Sequence, residues 1–283
     1  MTDVNAEQAE YWANSPGGAK WITLEDRLDA ALGPVLELVL GRAALQPGER
    51  VLDIGCGTGA SLIRAAEAVG ETGHVLGADI STPFVDRART RTAGLPQVEA
   101  IVADAQTHDF EPSRIDAIIS RFGVMFFEDT RAAFANMARA LRPGGRMVFA
   151  AWGRLANNPW FMVPHQAAVA RLGRPPSTDR NAPGPLAFHD IDRISGFFAE
   201  AGLEVQAEAV SIGLTPIGLA SGAAAICMKV GPAVRVIAHF GGSDEDEAAI
   251  EAEILRVFQT YPSQDPFVMP AEINLFHATL PEG

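Results

Sequence analysis

The chain has 283 residues, 48% of them hydrophobic, enough for one α/β domain with insertions and a substantial buried core. Acidic residues outnumber basic ones 35 to 22, and the net charge of −13 argues against a nucleic-acid substrate, whose phosphates must be met by Lys and Arg. No run reaches the ~18 apolar residues of a membrane span, and two cysteines, Cys56 and Cys227, make no disulfide framework.

In chain order, the opening Met-Thr-Asp-Val-Asn-Ala-Glu is polar and acidic, unlike a leader peptide. With the free cysteines it leads us to expect a reducing, cytoplasmic setting. Trp21, Leu24, Leu28, Ala31 and Leu32 recur at helical spacing, and residues 34–45 form a second apolar-periodic stretch. Pro47-Gly48 punctuates the chain before a strand at 51–54. A helix over 59–69 follows, then a strand at 74–79, a helix opening at Ser81 and a strand at 98–102. A variable loop leads to a strand at 115–120, a helix over 130–141 and a strand at 146–151. Such alternation predicts an α/β fold, a Rossmann-like, mostly parallel sheet with helices on both faces. Ligands of such sheets bind outside the carboxyl ends of the strands, so residues at 53, 79, 104 and 121 are expected to converge on one pocket.

Beyond 152 the alternation stops. A helix is expected over 158–172, a Pro/Gly-rich loop over 173–188, and a helix over 190–201 capped by Asp190. A strand at 203–213, mostly helical chain over 216–262 and a last strand at 271–279 complete the reading. Six acidic residues within 244–253 read as a solvated helix start. Three segments result: an N-terminal helical cap (1–48), a binding core (49–152), and the rest of the sheet (153–283) with helical cap insertions at 153–188 and 216–266.

Residues 51–59, Val-Leu-Asp-Ile-Gly-Cys-Gly-Thr-Gly, carry the most information. Gly55, Gly57 and Gly59 let backbone approach a ligand closely, and Gly55, Gly57 and Ala60 also satisfy the looser dinucleotide pattern. Asp53 separates the two readings, because a carboxylate at the strand end would repel a pyrophosphate. S-adenosylmethionine, with an ammonium beside a sulfonium and no phosphate, suits it better. Asp79, ending the second strand ahead of Ile80, can accept from both ribose hydroxyls and so marks an adenosine ligand of either kind.

With these motifs the chain resembles the class I, seven-strand S-adenosylmethionine-dependent methyltransferases, and within them the bacterial ubiquinone- and menaquinone-biosynthesis type. The match covers roughly residues 50–152, with a weaker echo in Tyr11-Trp12 and Trp21. Leu141-Arg142-Pro143-Gly144-Gly145 is a further family mark, read as a structural turn. The resemblance implies that Asp104 contacts the adenine amine and the amide of Ala105 its ring nitrogen. It places a backbone contact at Arg121-Phe122, Asp53 with the turn (Cys56 included) at the methionine end, and an antiparallel pair, 203–213 with 271–279, at the end of the sheet. The loop after Phe122-Gly123-Val124 continues Met-Phe-Phe-Glu-Asp, departing from the Arg-Asn usual in quinone enzymes.

The activity implied is methyl transfer to a small apolar or aromatic molecule at oxygen, nitrogen or carbon, leaving S-adenosylhomocysteine. Such a displacement needs alignment above all, which contributes on the order of 7–11 kcal/mol, and a base only if the acceptor must lose a proton. His165 and His189 are the candidates for that base because both fall in the expected cap. Tyr11, Trp21 and Phe122 are expected to face the cofactor. No HExxH or paired CxxC occurs, so no catalytic metal is expected. Two alternatives stay open: a non-catalytic S-adenosylmethionine-binding protein and a nicotinamide-dependent oxidoreductase.

Overall fold

Seven strands join one sheet in the computed structural model, which describes residues 5–262 and 266–282. They are β1 (Arg50–Ile54), β2 (His74–Asp79), β3 (Val98–Val102), β4 (Ile115–Arg121), β5 (Leu141–Trp152), β6 (Glu204–Leu214) and β7 (Met269–Thr279). Their order across the sheet is β3-β2-β1-β4-β5-β7-β6. The first five run parallel, and β7 is antiparallel to both β5 and β6. The mostly parallel sheet with an antiparallel final strand is therefore as expected. The chain builds outward from β1 to β3, then returns to place β4 on the other side of β1. The switch point, where ligands bind in such sheets, lies between β1 and β4.

Helices α4 (Ala60–Val69), α5 (Thr82–Thr92) and α6 (Thr130–Ala140) make the crossovers. Ser81 sits at the N-cap of α5, but its hydroxyl donates to the carbonyl of Trp12 at 3.1 Å instead of capping. Asp190 does cap α8 (Ile191–Glu200), accepting from the amide of Arg193 at 3.1 Å. The acidic run opens α11 (Asp244–Phe258), where Ser243 and Asp246 form a reciprocal capping box. A buried aromatic cluster joins α6 and α8 to the sheet, with Phe134 and Phe198 4.3 Å apart and Phe149 and Phe276 packed around them.

The N-terminal chain forms α1 (Ala6–Asn14), α2 (Pro16–Thr23) and α3 (Glu25–Ala43). The two periodic stretches read from sequence merge in α3, which runs through Pro34. Its apolar stripe (Leu28, Ala31, Leu32, Val35, Val39) is buried without interruption against β4, β5 and β6. Burial of that stripe outweighs the amide that Pro34 lacks. The carbonyl thus freed, that of Ala30, accepts from the hydroxyl of Thr215 at 2.9 Å.

The Leu141–Gly145 stretch is counted within β5 yet turns as expected, with Gly144 at φ +72° and residues 142–145 left out of the pairing with β4. Pairing slips there from Ile115–Leu141 to Ala117–Arg146, and the loop closes on the end of β7. Gly144 donates to the carbonyl of Leu280 and the amide of Leu280 donates to that of Gly145, both at 2.9 Å. After β5 come α7 (Pro159–Leu172), then α8 and β6, then α9 (Leu219–Cys227), α10 (Pro232–Phe240) and α11, with α7 packed against α10 and α11. Residues 263–265 of the expected 216–266 insertion, and 1–4 of the N-terminal segment, lie outside the described residues. Among the described residues no single helix is long and apolar enough to cross a membrane.

Replacing Thr215 by Val removes the hydroxyl that serves the Ala30 carbonyl while keeping the side chain's shape. Urea unfolding should show a loss of ~1 kcal/mol; unchanged stability would mean that solvent serves that carbonyl equally well.

Candidate functional site

At the switch point β1 runs into Gly55-Cys56-Gly57-Thr58-Gly59. A Cβ on Gly55 would lie 2.5 Å from the Cα of Gly123, so only glycine lets the turns after β1 and β4 close on each other. Ser120 fastens the same junction. Its hydroxyl donates to the carbonyl of Ile54 at 2.6 Å and accepts from the amide of Gly123 at 3.0 Å. Gly57, at φ +55°, has open space where a side chain would stand. Beyond these turns opens a cavity of about 260 Å³, lined mainly by apolar groups from the strand ends, the N-terminal helices and the segments after β5.

Asp79 is buried at its edge. Its Oδ2 accepts from the amide of Gly57 at 2.9 Å and its Oδ1 from that of Ser81 at 2.8 Å. Burial pushes its pKa up to about 6, against the pull of those amides. Each oxygen keeps a lone pair for a donor in the cavity. Asp104 is held by Asn5, whose amide nitrogen lies 3.0 Å from both carboxylate oxygens, and by the amide of Gln106 at 2.9 Å. Asn5 in turn accepts from the amide of Glu128 at 2.7 Å.

Asp53 departs from expectation. It does not line the cavity but lies buried beneath the turn, where its Oδ2 accepts from the Ser61 hydroxyl. Its Oδ1 has no partner, and neither has Nη1 of Arg121, the cation whose charge acts on it. Burial pushes the Asp53 pKa up to about 7. A strand residue pointing away from the ligand face cannot reach a ligand itself, so Ser61, which does line the cavity, stands between them.

The remaining expected residues divide clearly. Gly55, Cys56, Gly57, Ile80, Ala105 and Arg121 line the cavity, as do Phe122, Tyr11 and Trp21. The Cys56 thiol is pushed well up by burial and by the nearby Asp79 and Asp53 carboxylates, so it is no nucleophile. Gly59 does not line it and serves as the N-cap of α4, at φ +94°. Phe122 stands in the left-handed region at φ +69° and stacks on Trp152, ring centroids 4.4 Å apart and planes within 5°. Trp152 meets Phe161 edge-on at 4.8 Å.

His165 and His189 are displaced from the site. They share a separate groove with Arg154 and Arg180, and the Nδ1–H of His189 meets the carbonyl of Leu186 at 2.8 Å. No histidine is among the residues lining the cavity. Both fall in the cap segments, but a place in a segment does not say which way its side chains turn.

An ionic ladder over the glycine turn was not foreseen. Glu25 of α3 receives Arg87 of α5 at 2.9 and 3.0 Å, and Asp29 receives Arg91 at 2.8 Å and Arg121 at 3.3 Å. Arg91 also donates to the Thr58 hydroxyl at 3.0 Å. Hydrogen bonding from Arg87 holds the Glu25 carboxyl below its usual range. The available signal was two matched i, i+4 pairs, acidic at 25 and 29 and basic at 87 and 91.

Residues 51–145 match the family model described as "Methyltransferase domain". Those residues are a methyltransferase domain. Aklanonic acid methyltransferase DauC of Streptomyces sp. (strain C5) is 42% identical over 104 residues, 36% of this chain and 47% of that protein. Nocamycin O-methyltransferase of Saccharothrix syringae is 37% identical over 116 residues, 40% and 41% of the two chains. Demethylmenaquinone methyltransferase of Staphylococcus aureus is 34% identical over 110, 39% and 46%. The chain thus spans less than half the length of each of these curated relatives. Among solved structures, a SAM dependent methyltransferase from Aquifex aeolicus shares the fold over 69% of this chain and 92% of its own, at TM-score 0.52 and 21% identity. The [4+2]-cyclase SpnF shares it over 96% and 98%, at TM-score 0.56 and 19% identity. The methyltransferase domain contains β1 through the start of β5, and with them the glycine turn, Asp79, Asp104 and Arg121.

Two measurements check this geometry. His165→Ala and His189→Ala should each keep turnover within about twofold of wild type, as substitutions outside a site do; a hundredfold loss in either would return that histidine to the chemistry. Asp53 is held above the ordinary 3.8, so the folded state resists its charge. Stability is then full below about pH 4 and is lost as pH climbs through about 7. Asp53→Asn carries no charge to bury, and denaturation of the ligand-free protein at pH 5 and 8 should show the decline reduced by ~3 kcal/mol.

Proposed function

We propose that this protein is an S-adenosylmethionine-dependent methyltransferase acting on a small apolar or aromatic molecule, with S-adenosylhomocysteine as the product. The observation that carries the reading is the placement of carboxylates around the glycine turn. A dinucleotide fold aims its turn amides at a pyrophosphate. Here the Gly57 amide is given to Asp79, and Asp53 lies beneath the turn with an oxygen unpaired. Such surroundings oppose a dianionic phosphate bridge and suit a ligand that presents cations. That argument weighs against the nicotinamide alternative.

When bound, S-adenosylmethionine supplies a methyl group on a sulfonium, a leaving group that needs no further activation. The chain's part is to bind and align. Asp79 would accept from the ribose hydroxyls, and Asp104, aimed by Asn5, from the adenine amine beside the Ala105 amide. Ser61, with Asp53 behind it, and Arg121 would serve the methionine end. Phe122, Trp152 and Phe161 offer a flat apolar wall to an acceptor and keep water from it.

The cap division belongs to the same proposal. Residues 1–48, 153–188 and 216–266 each supply lining: Tyr11 and Trp21 from the first, Trp160 and Pro185 from the second, Val230 and Arg235 from the third. The excess of acidic side chains speaks against nucleic acid as the acceptor, and the two free buried cysteines suit a cytoplasmic setting.

Calorimetric titration with S-adenosylmethionine and S-adenosylhomocysteine, with NAD and NADP as controls, tests the reading. Micromolar binding of the first two alone is expected; binding of NAD alone would overturn it. Asp79→Ala should weaken S-adenosylhomocysteine binding by ~1.5–3 kcal/mol through lost charge-assisted hydrogen bonds. Turnover of an aromatic acceptor panel separates an enzyme from a protein that only binds the cofactor.

A further inference from the structure

Asn5 does not do what its position asks of it. It stands at the N-cap of α1, yet its side chain caps no helix amide and its backbone is left-handed, at φ +60°. Asparagine enters that region more readily than most residues that carry a Cβ. The side chain, buried with only 5% exposed, is turned to the loop after β3. There Nδ2 lies 3.0 Å from both oxygens of Asp104 and 3.2 Å from Oε1 of Gln106. Oδ1 accepts from the amide of Glu128 at 2.7 Å. A donor on one side and acceptors on the other leave the amide one orientation. The backbone of the loop has its own support, because Asn136 of α6 donates to the carbonyls of Ala105 and His108 at 2.9 and 2.8 Å. Asn5 thus acts on the Asp104 carboxylate and not on the path of the chain around it.

A carboxylate has about four lone pairs to give. Among the described residues, Oδ1 of Asp104 serves Asn5 and the amide of Gln106, at 3.0 and 2.9 Å, and Oδ2 serves Asn5. A single acceptor position remains, on Oδ2 of a residue that lines the cavity. We propose that Asn5 is a positioning residue for base selectivity: by holding both oxygens of Asp104 it leaves the cavity one acceptor, matched to one N–H of the exocyclic amine on the cofactor's purine. This rests on the S-adenosylmethionine reading and adds to it the element that decides which base is taken. Nδ2 carries two hydrogens, and Asp104 and Gln106 take both, so Asn5 has no donor of its own to offer a base. A purine without the amine leaves Oδ2 unpaired in the cavity wall and forfeits a charge-assisted bond. Without Asn5 the carboxylate is free to turn on its broad terminal torsion and to take water, and the choice of base weakens.

The test titrates the full chain calorimetrically with S-adenosylhomocysteine and with its 6-deamino analogue, which carries hydrogen in place of the adenine amine and keeps every ring nitrogen. Wild type should bind S-adenosylhomocysteine about thirtyfold more tightly, the worth of one hydrogen bond to a charged group. Asn5→Gly removes the amide and keeps the left-handed backbone accessible. Asn5→Asp keeps the shape and the oxygen that serves Glu128 and removes only the donor. In each variant the preference should fall to about threefold. Loosening of α1 alone would weaken both ligands alike and leave their ratio unchanged, so the ratio separates positioning from mere support. Equal affinity of wild type for the two ligands, or a preference that survives in either variant, would overturn the proposal. So would tighter binding of S-adenosylhomocysteine by Asn5→Gly, because Asn5 would then compete with the base for Asp104. Failure of S-adenosylhomocysteine to bind wild type at all would instead overturn the cofactor reading beneath it, and this one with it.

Discussion

A buried carboxylate at the carboxyl end of β2 is the constraint on which the site depends. Asp79 can be buried there because the amides of Gly57 and Ser81 come to it, at 2.9 and 2.8 Å. Those amides are available only because the chain after β1 turns sharply on glycines and the chain after β2 turns into α5. One ionisable group thus ties the ends of two neighbouring strands and fixes the floor of the cavity. The arrangement is strained electrostatically, since burial holds its pKa at about 6, well above an ordinary aspartate. A ligand that donates to those oxygens would relieve part of that cost, so the feature that burdens the empty fold is the one that rewards binding.

The N-terminal helices are bound to this floor by charge, and that couples the cap to the core. Glu25 and Asp29 on α3 reach Arg87 and Arg91 on α5, Asp29 reaches Arg121 at the end of β4, and Asn5 reaches Asp104 after β3. Ser81 adds a hydrogen bond to Trp12 where a helix cap was available to it. Partly buried pairs of this kind contribute little stability net of desolvation. They do specify geometry: loss of any one partner leaves a charge in the cavity wall. Segments far apart in the chain are in this way held to one arrangement around the pocket.

How much of this could be read without coordinates follows from the range of each interaction. The strands and crossovers between 50 and 152 were legible because sheet alternation, glycine turns and strand-end acids are local signals. Asp79 and Asp104 could be placed for the same reason, because the end of a parallel strand points to the ligand. Asp53 shows the limit. It was one residue too early in the strand, and the pleat, with period two, turns its side chain beneath the turn. Trp12 with Ser81 and Asn5 with Asp104 are contacts across 69 and 99 residues, for which no local pattern exists. Pro34 misled in the other direction, because a helix-breaking residue yielded to an unbroken apolar stripe and to Thr215, 181 residues on. His165 and His189 have only their segment to recommend them, and the helix and loop that carry them face a different groove.

A shared fold leaves the chemistry to the side chains. A [4+2]-cyclase and a SAM dependent methyltransferase overlay on this chain about equally well, at TM-scores of 0.56 and 0.52. The sheet, its switch point and its crossovers therefore cannot decide what is made in the cavity. The methyltransferase domain at 51–145 contributes the turn and the strand-end acids, which bear on the cofactor. The aromatic wall of the cavity comes from both sides of that boundary, Phe122 from within the domain and Trp152 and Phe161 from beyond it. Where no lining histidine is present to take a proton, the demand shifts to the acceptor itself. An acceptor that arrives already nucleophilic or already ionised needs no base from the cavity wall.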